Sequence, residues 1–148
     1  MKIAVFGQYY QSNTAEIAIK VVDFLKRNDI TILFEATFLN ILKEKEIVLD
    51  NFETYSSYEE LPTDTETLIS IGGDGTILKA ATFIRDKNIP IIGINAGRLG
   101  FLATVQFDKI DELLQKVLIK DYYISKRSLL SIETTPFYEN FAVLDFAL

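Results

Sequence analysis

The sequence contains no cysteine and no histidine. Without cysteine the chain has no disulfide bonds, no thiolate metal sites and no thiol nucleophile. Without histidine, a Ser-His-Asp triad and imidazole zinc sites are excluded as well. Any chemistry must therefore rest on carboxylates, hydroxyl groups, lysines, backbone amides and bound ions.

Long hydrophobic runs are also missing. No apolar run approaches the roughly 18 residues of a membrane span, and the apolar start over residues 1–6 is too short for a signal peptide because Gly7 and Gln8 end it. We therefore expect a cytoplasmic protein with no membrane partner.

Basic residues are few, 15 against 21 acidic ones for a net charge of -6, which disfavours nucleic acid as a partner. A small phosphorylated ligand held by backbone groups remains compatible with this charge.

Strand-like and helix-like segments alternate over most of the chain. Apolar runs at 3–6, 30–35, 68–71 and 89–94 alternate with segments near 13–28, 37–43, 76–85 and 108–118, whose apolar residues repeat at helical spacing. This alternation predicts an α/β domain over residues 1–120, with a doubly wound, mostly parallel sheet and helices on both faces.

One segment interrupts the alternation. Between residues 44 and 66 lie eight carboxylates against the single Lys45, with little periodicity. We interpret this segment as a mobile surface excursion; an acidic metal site is the less favoured alternative.

The pattern changes after residue 120. Residues 122–133 and 141–148 have the character of two strands joined by a turn-forming stretch at 134–140, with no helix between them. We therefore predict that residues 121–148 begin an incomplete C-terminal β-domain with its first hairpin. Because the chain stops within an apolar strand, which would leave an exposed edge, we expect a truncated C-terminus.

A glycine turn over residues 72–76 follows a buried strand and precedes a helix, the position where open α/β sheets bind ligands. Its backbone and the helix start suit a phosphate, so the predicted phosphate loop comprises Gly72, Gly73, Gly75 and Thr76. Asp74 would repel phosphates unless a cation intervenes or the carboxylate serves as a base, and both roles indicate phosphoryl transfer. The turn lacks the Walker A lysine and is not G-x-G-x-x-G. On this motif alone, a tight turn with Asp74 or Thr76 as the helix N-cap is equally well supported.

A second turn, over residues 95–102, again follows a buried strand. Two such turns at the carboxyl ends of successive strands can frame one crevice. The alternative is an ordinary βα loop in which Arg98 is solvated and Phe101 fills the core.

Together the two turns resemble those of the NAD kinase family, also described as inorganic polyphosphate/ATP-NAD kinases. Family members carry Gly-Gly-Asp-Gly-Thr and, about twenty residues later, a segment like Gly-Ile-Asn-Ala-Gly-Arg-Leu-Gly-Phe-Leu, which stands here at 93–102. The resemblance extends over residues 1–148, including Lys-Arg-Ser-Leu-Leu at 126–130. The first motif is shared with phosphofructokinases and with diacylglycerol and sphingosine kinases.

The resemblance implies transfer of the γ-phosphate of ATP, with magnesium, to the 2′-hydroxyl of the adenosine ribose of NAD. Asp74 is similar to the family's catalytic carboxylate, which accepts the proton of that hydroxyl. Gly75 and Lys79 match dinucleotide-contacting positions, and Phe101 resembles an aromatic residue that flanks the adenine. Asp74, Gly75, Lys79 and Phe101 are thus the candidate NAD-binding residues.

The family's next motifs are an Asn-Glu or Asn-Asp pair shortly after the strand at 141–148 and a Gly-Ser/Thr-rich segment in the β-domain, and neither is present at those places. We therefore expect an inactive fragment of a kinase that forms a homo-oligomer, a dimer or a tetramer, at full length. A lipid kinase of the diacylglycerol or sphingosine type is the alternative enzyme, although its usual Gly-Thr-Gly-Asn-Asp segment is replaced here by residues 95–100. A non-catalytic nucleotide-binding module is the alternative from another class.

Overall fold

The computed structural model describes residues 1–9, 12–48, 50–133 and 139–144. Strands and helices alternate along most of the first 118 residues, as the apolar pattern predicts, but the strands at 53–55 and 67–72 follow one another without a helix between them. The elements are β1 (Lys2–Gly7), α1 (Ser12–Arg27), β2 (Thr31–Glu35), α2 (Ala36–Glu44), β3 (Glu53–Tyr55), β4 (Thr67–Gly72), α3 (Asp74–Ile84), β5 (Ile91–Asn95), a 3-10 turn (Phe107–Lys109), α4 (Ile110–Leu118), β6 (Ser128–Glu133) and β7 (Glu139–Leu144).

Five strands form one parallel sheet in the order β3-β2-β1-β4-β5. The chain moves outward from β1 through β2 to β3 and then returns to the other side of β1 with β4 and β5. The strand order therefore reverses between β1 and β4, which makes their carboxyl ends the expected ligand-binding edge. The prediction of a doubly wound, mostly parallel α/β sheet is confirmed.

Alternate residues of a strand point to opposite sides of the sheet, and both of these sides are buried. Ile3 and Val5 of β1 belong to a core built with α1, α2 and α4, whereas Ala4 and Phe6 belong to a second core that includes Ala80 of α3. Helices therefore pack on both faces, and continuous apolar strands are the expected sequence signature. Across the described residues, no helix combines the length and apolar character that crossing a bilayer requires.

The acidic segment 44–66 is part of the fold, so its interpretation as a surface excursion is wrong in one respect. It contains β3, which extends the sheet beyond β2, and it buries the side chains of Val48, Tyr55 and Leu61. The hydroxyl of Tyr55 donates a 3.4 Å hydrogen bond to the backbone carbonyl of Val5. No group of three or more acidic side chains in the described residues could hold a metal ion.

Strands β6 and β7 pair antiparallel in a separate two-stranded sheet, with Ser128 opposite Leu144 and Glu133 opposite Glu139. Most of the predicted turn, residues 134–138, and the end of the predicted second strand, residues 145–148, lie outside the described residues. The domain boundary at 120 and the assignment of this hairpin to a β-domain stay predictions.

Candidate functional site

The glycine turn connects β4 to α3 at the carboxyl edge of the sheet. Gly72 has a φ of 155°, and a Cβ placed there would lie 2.2 Å from the Thr76 hydroxyl oxygen. Only glycine fits this position without strain. Gly73 is the N-cap of α3, and no side chain caps the helix start. The alternative in which Asp74 or Thr76 is the N-cap is therefore wrong, because both side chains bond elsewhere.

Thr76 faces inward and connects the glycine turn to β1. Its side chain is buried, and its hydroxyl donates a 3.0 Å hydrogen bond to Oε1 of Gln8. The backbone amide of Gln8 donates to the carbonyl of Ile71 at 3.2 Å. The hydroxyl of Thr76 thus connects the start of α3 to the residue that follows β1, and its backbone amide donates to the carbonyl of Gly73 at 3.0 Å. A phosphate contact from Thr76 stays a prediction.

Gly73 and Gly75 face open space, since a Cβ on either residue would meet no atom within 4 Å. They stand at the first turn of α3, a helix of 11 residues whose positive dipole end points to the same edge. Unhindered backbone at a helix start is the arrangement that accommodates phosphate groups. The place of Gly73 and Gly75 in a phosphate loop stays a prediction.

The Asp74 carboxylate joins the two turns. Its Oδ2 accepts a hydrogen bond from the backbone amide of Phe101 at 2.8 Å, and its Oδ1 accepts bonds from the amides of Leu102 and Ala103, both at 2.9 Å. A Cβ on Gly100 would lie 2.2 Å from Oδ1, so this glycine gives the carboxylate access to the loop backbone. The two sequence motifs therefore meet at one side chain.

These amides fix the charge of Asp74. Led by the amides of Ala103 and Phe101, they hold the pKa of the Asp74 carboxyl below its ordinary value, against the opposing effect of burial. Hydrogen bonds donated to a carboxylate favour its charged form. Asp74 is thus an anion at neutral pH.

The second turn is organised by Asn95, which sequence reasoning missed. Asn95 is the last residue of β5 and only 7% exposed. Its Oδ1 accepts from the amide of Gly97 at 2.7 Å, and its Nδ2 donates to the carbonyls of Arg98 at 2.6 Å and Ala103 at 3.1 Å. An amide side chain directly after an apolar strand was the available signal, since Asn commonly bonds its own backbone two residues on.

The remaining candidates, Lys79 and Phe101, are both exposed. Nζ of Lys79 lies 6.0 Å from the ring centroid of Phe6, close to the carboxyl end of β1. The Phe101 side chain is 90% exposed, so the alternative in which it fills the core is wrong, whereas Arg98 is solvated as that alternative expected. The backbone of Phe101 is fixed by Asp74 while its ring is free to meet a ligand.

Comparison with known proteins connects this geometry to one family. A family model described as the ATP-NAD kinase N-terminal domain matches residues 3–122. The chain is 49% identical over 148 residues to an NAD kinase of Flavobacterium johnsoniae, covering 100% of this chain and 50% of that protein. It is 35% identical over 133 residues to an NAD kinase of Methanothermobacter thermautotrophicus, covering 89% of this chain and 44% of the relative. The chain thus spans about half the length of the curated relatives it matches.

Two solved structures share the fold. A yeast NADH kinase complexed with NADH superimposes with a TM-score of 0.67 at 17% identity, over 80% of this chain and 36% of the other. An NAD kinase from Archaeoglobus fulgidus in complex with ATP gives a TM-score of 0.53 at 23% identity, over 87% and 41% of the two chains. At these identities the likeness concerns the fold alone.

Proposed function

Because the chain belongs to the NAD kinase family, we propose that the whole protein transfers the γ-phosphate of ATP to the 2′-hydroxyl of the adenosine ribose of NAD, giving NADP. The observation that carries this proposal is the Asp74 carboxylate, held as an anion beside the open glycine turn. Since the chain spans half the length of its relatives, the activity is proposed for the whole protein.

Asp74 has room for one more hydrogen-bond donor. An ionised carboxylate offers about four acceptor positions, and three are taken by backbone amides, two on Oδ1 and one on Oδ2. The remaining position on Oδ2 suits the ribose hydroxyl. In the proposed reaction the hydroxyl oxygen bonds to the γ-phosphorus of ATP, the bond from that phosphorus to ADP breaks, and the hydroxyl proton passes to Oδ2.

The glycine turn and the exposed candidates supply binding. The open backbone at Gly73 and Gly75 and the start of α3 would hold a diphosphate, and the exposed ring of Phe101 would lie against the adenine. Lys79, one helical turn after Gly75, would add a positive charge near the dinucleotide.

ATP in solution carries Mg²⁺ on its phosphates, and such ions are commonly bound by one or two carboxylates together with the substrate. Magnesium would therefore enter with ATP.

Further expectations belong to the same proposal. We place the protein in the cytoplasm as a homo-oligomer, without a nucleic acid or membrane partner. Residues 1–120 would form its nucleotide-binding domain, and residues 121–148 would begin its β-domain. The expectation that the 148-residue chain alone is inactive stays a prediction.

A labelled phosphate distinguishes the proposed enzyme from its alternatives. The whole protein is incubated with Mg²⁺ and ATP radiolabelled on the γ-phosphate, in separate reactions with NAD, diacylglycerol or sphingosine as acceptor. We expect label in NADP and none in either lipid. Label in a lipid would assign the chain to the lipid kinases, and ATP binding without transfer to any acceptor would favour a non-catalytic module.

A further inference from the structure

We propose that Asn95 is a positioning residue that acts through Asp74, by holding the backbone of residues 97–103 so that the amides of residues 101–103 face the Asp74 carboxylate. Its side chain contacts both ends of this segment: Gly97 and Arg98 at the start, and Ala103 at the end. The inference is tested in two ways below. A kinetic test rests on the proposed function, and a hydrogen-exchange test rests on the geometry alone.

The bonding pattern of Asn95 requires a carboxamide. One neighbouring group is the amide of Gly97, which must face an acceptor, and the other two are the carbonyls of Arg98 and Ala103, which must face donors. A carboxamide has one acceptor oxygen and two N–H donors, so it matches all three groups. An aspartate keeps the acceptor but places a carboxylate oxygen against two carbonyls.

The link to Asp74 passes through Ala103. The carbonyl of Ala103 accepts from Asn95, while its amide donates to Asp74. Ala103 is fully buried, and a Cβ on Gly93 of β5 would lie 3.0 Å from its Cα, so the residue is packed closely against the sheet. Without Asn95, this residue loses the bond that orients its carbonyl.

The backbone amide of Asn95 adds a second attachment on the same side. It donates a 2.8 Å hydrogen bond to the carbonyl of Val105, and Val105 in turn pairs with Ile94 as an isolated parallel bridge. The chain leaving Ala103 is thus anchored to β5. The segment that carries the amides for Asp74 is consequently held at both of its ends by one residue, Asn95.

The kinetic test is a double-mutant cycle in the whole protein, with Asn95→Asp, Asp74→Asn and the pair. We expect Asn95→Asp alone to lower kcat by about 10²-fold, the effect of a misplaced catalytic group. In the Asp74→Asn background the same change should alter kcat by less than about threefold, because residues that act through one another are not additive. Asn51→Asp, the same change at an exposed residue beside Lys43, is the control and should leave kcat unchanged.

The second test needs no activity. Hydrogen exchange of the amides of Phe101, Leu102 and Ala103 should be slow in the wild-type protein and faster in both Asn95→Asp and Asp74→Asn, but unchanged in Asn51→Asp. Should Asn95→Asp not fold, the neutral Asn95→Ser takes its place in both tests.

The outcomes separate the two proposals. A wild-type protein that forms no NADP contradicts the proposed function, while the exchange test still decides whether Asn95 positions the amides. A wild-type protein that is active, with additive effects on kcat or unchanged exchange in the Asn95 variant, overturns the inference and leaves the function standing. If neither Asn95 variant folds, Asn95 serves stability and the inference is likewise overturned.

Discussion

Gly100→Ala is the sharpest perturbation of the contact between the two turns. A Cβ at residue 100 would lie 2.2 Å from Oδ1, 2.6 Å from Cγ and 2.7 Å from Oδ2 of Asp74, and these are its three nearest atoms. The carboxylate must therefore move by about 1 Å, a displacement that can cost about 10²-fold in rate. Overpacking of this kind typically costs about 1–3 kcal/mol of stability. At about 3 °C per kcal/mol, the melting temperature should fall by about 3–9 °C.

The measurement combines kcat for NADP formation with the melting temperature followed by circular dichroism. Gly97→Ala is the matched control, because a Cβ at residue 97 meets no atom within 4 Å. Its stability should equal or slightly exceed that of the wild type, since alanine lowers the entropy of the unfolded chain. Wild-type kcat and melting temperature in Gly100→Ala would refute the argument that Asp74 is fixed by the backbone of residues 101–103.

Three further predictions concern stability. Gly7→Ala should lower the free energy of unfolding by about 1–3 kcal/mol in urea titrations, because its Cβ would meet the ring of Phe38 at 2.5 Å. Tyr55→Phe, which removes a long hydrogen bond to Val5, should cost no more than about 1 kcal/mol in the same titration; a larger loss would mean that the hydroxyl is more important than its 3.4 Å distance implies. The folded-state pKa of Asp74 is lowered, so its contribution is complete above the unfolded pKa of about 3.9 and is lost as pH falls through the folded value. The stability difference between wild type and Asp74→Asn should therefore shrink below about pH 4, and a constant difference would contradict the hydrogen bonds to the carboxylate.

Much of the fold follows from the sequence because its strands are continuous apolar runs. Strands β1, β4 and β5 lie where apolar segments end in glycine or asparagine, and the helices between them have one apolar face. Strand β3 was missed because it has three residues, of which only Tyr55 is buried. Such a short edge strand leaves no periodic pattern, and the surrounding carboxylates mark the segment as solvated.

The site was predicted in part. The proximity of Asp74 to the second turn follows from two glycine turns at neighbouring strand ends. The hydrogen bonds from residues 101–103 to Asp74 cannot be predicted in this way, because they depend on how the second turn folds back onto the start of α3. The sequence also left open whether the Phe101 side chain is buried or exposed, because an aromatic residue after glycine is found both in cores and at ligand sites. Asn95 sets that turn, and its three hydrogen bonds are visible only in the structure.

The central claim is that Asp74 is the base in phosphorylation of NAD. It is tested most directly by the steady-state rate of NADP formation from NAD and ATP with Mg²⁺, comparing the whole wild-type protein with Asp74→Asn. We predict NADP formation that requires ATP, and a loss of kcat of about 10²–10⁴-fold in the variant. Ser70→Ala, on the preceding strand, removes a buried hydroxyl that bonds to no described residue and should do far less. Near-normal turnover in Asp74→Asn, or no NADP from the wild-type protein, would contradict the account.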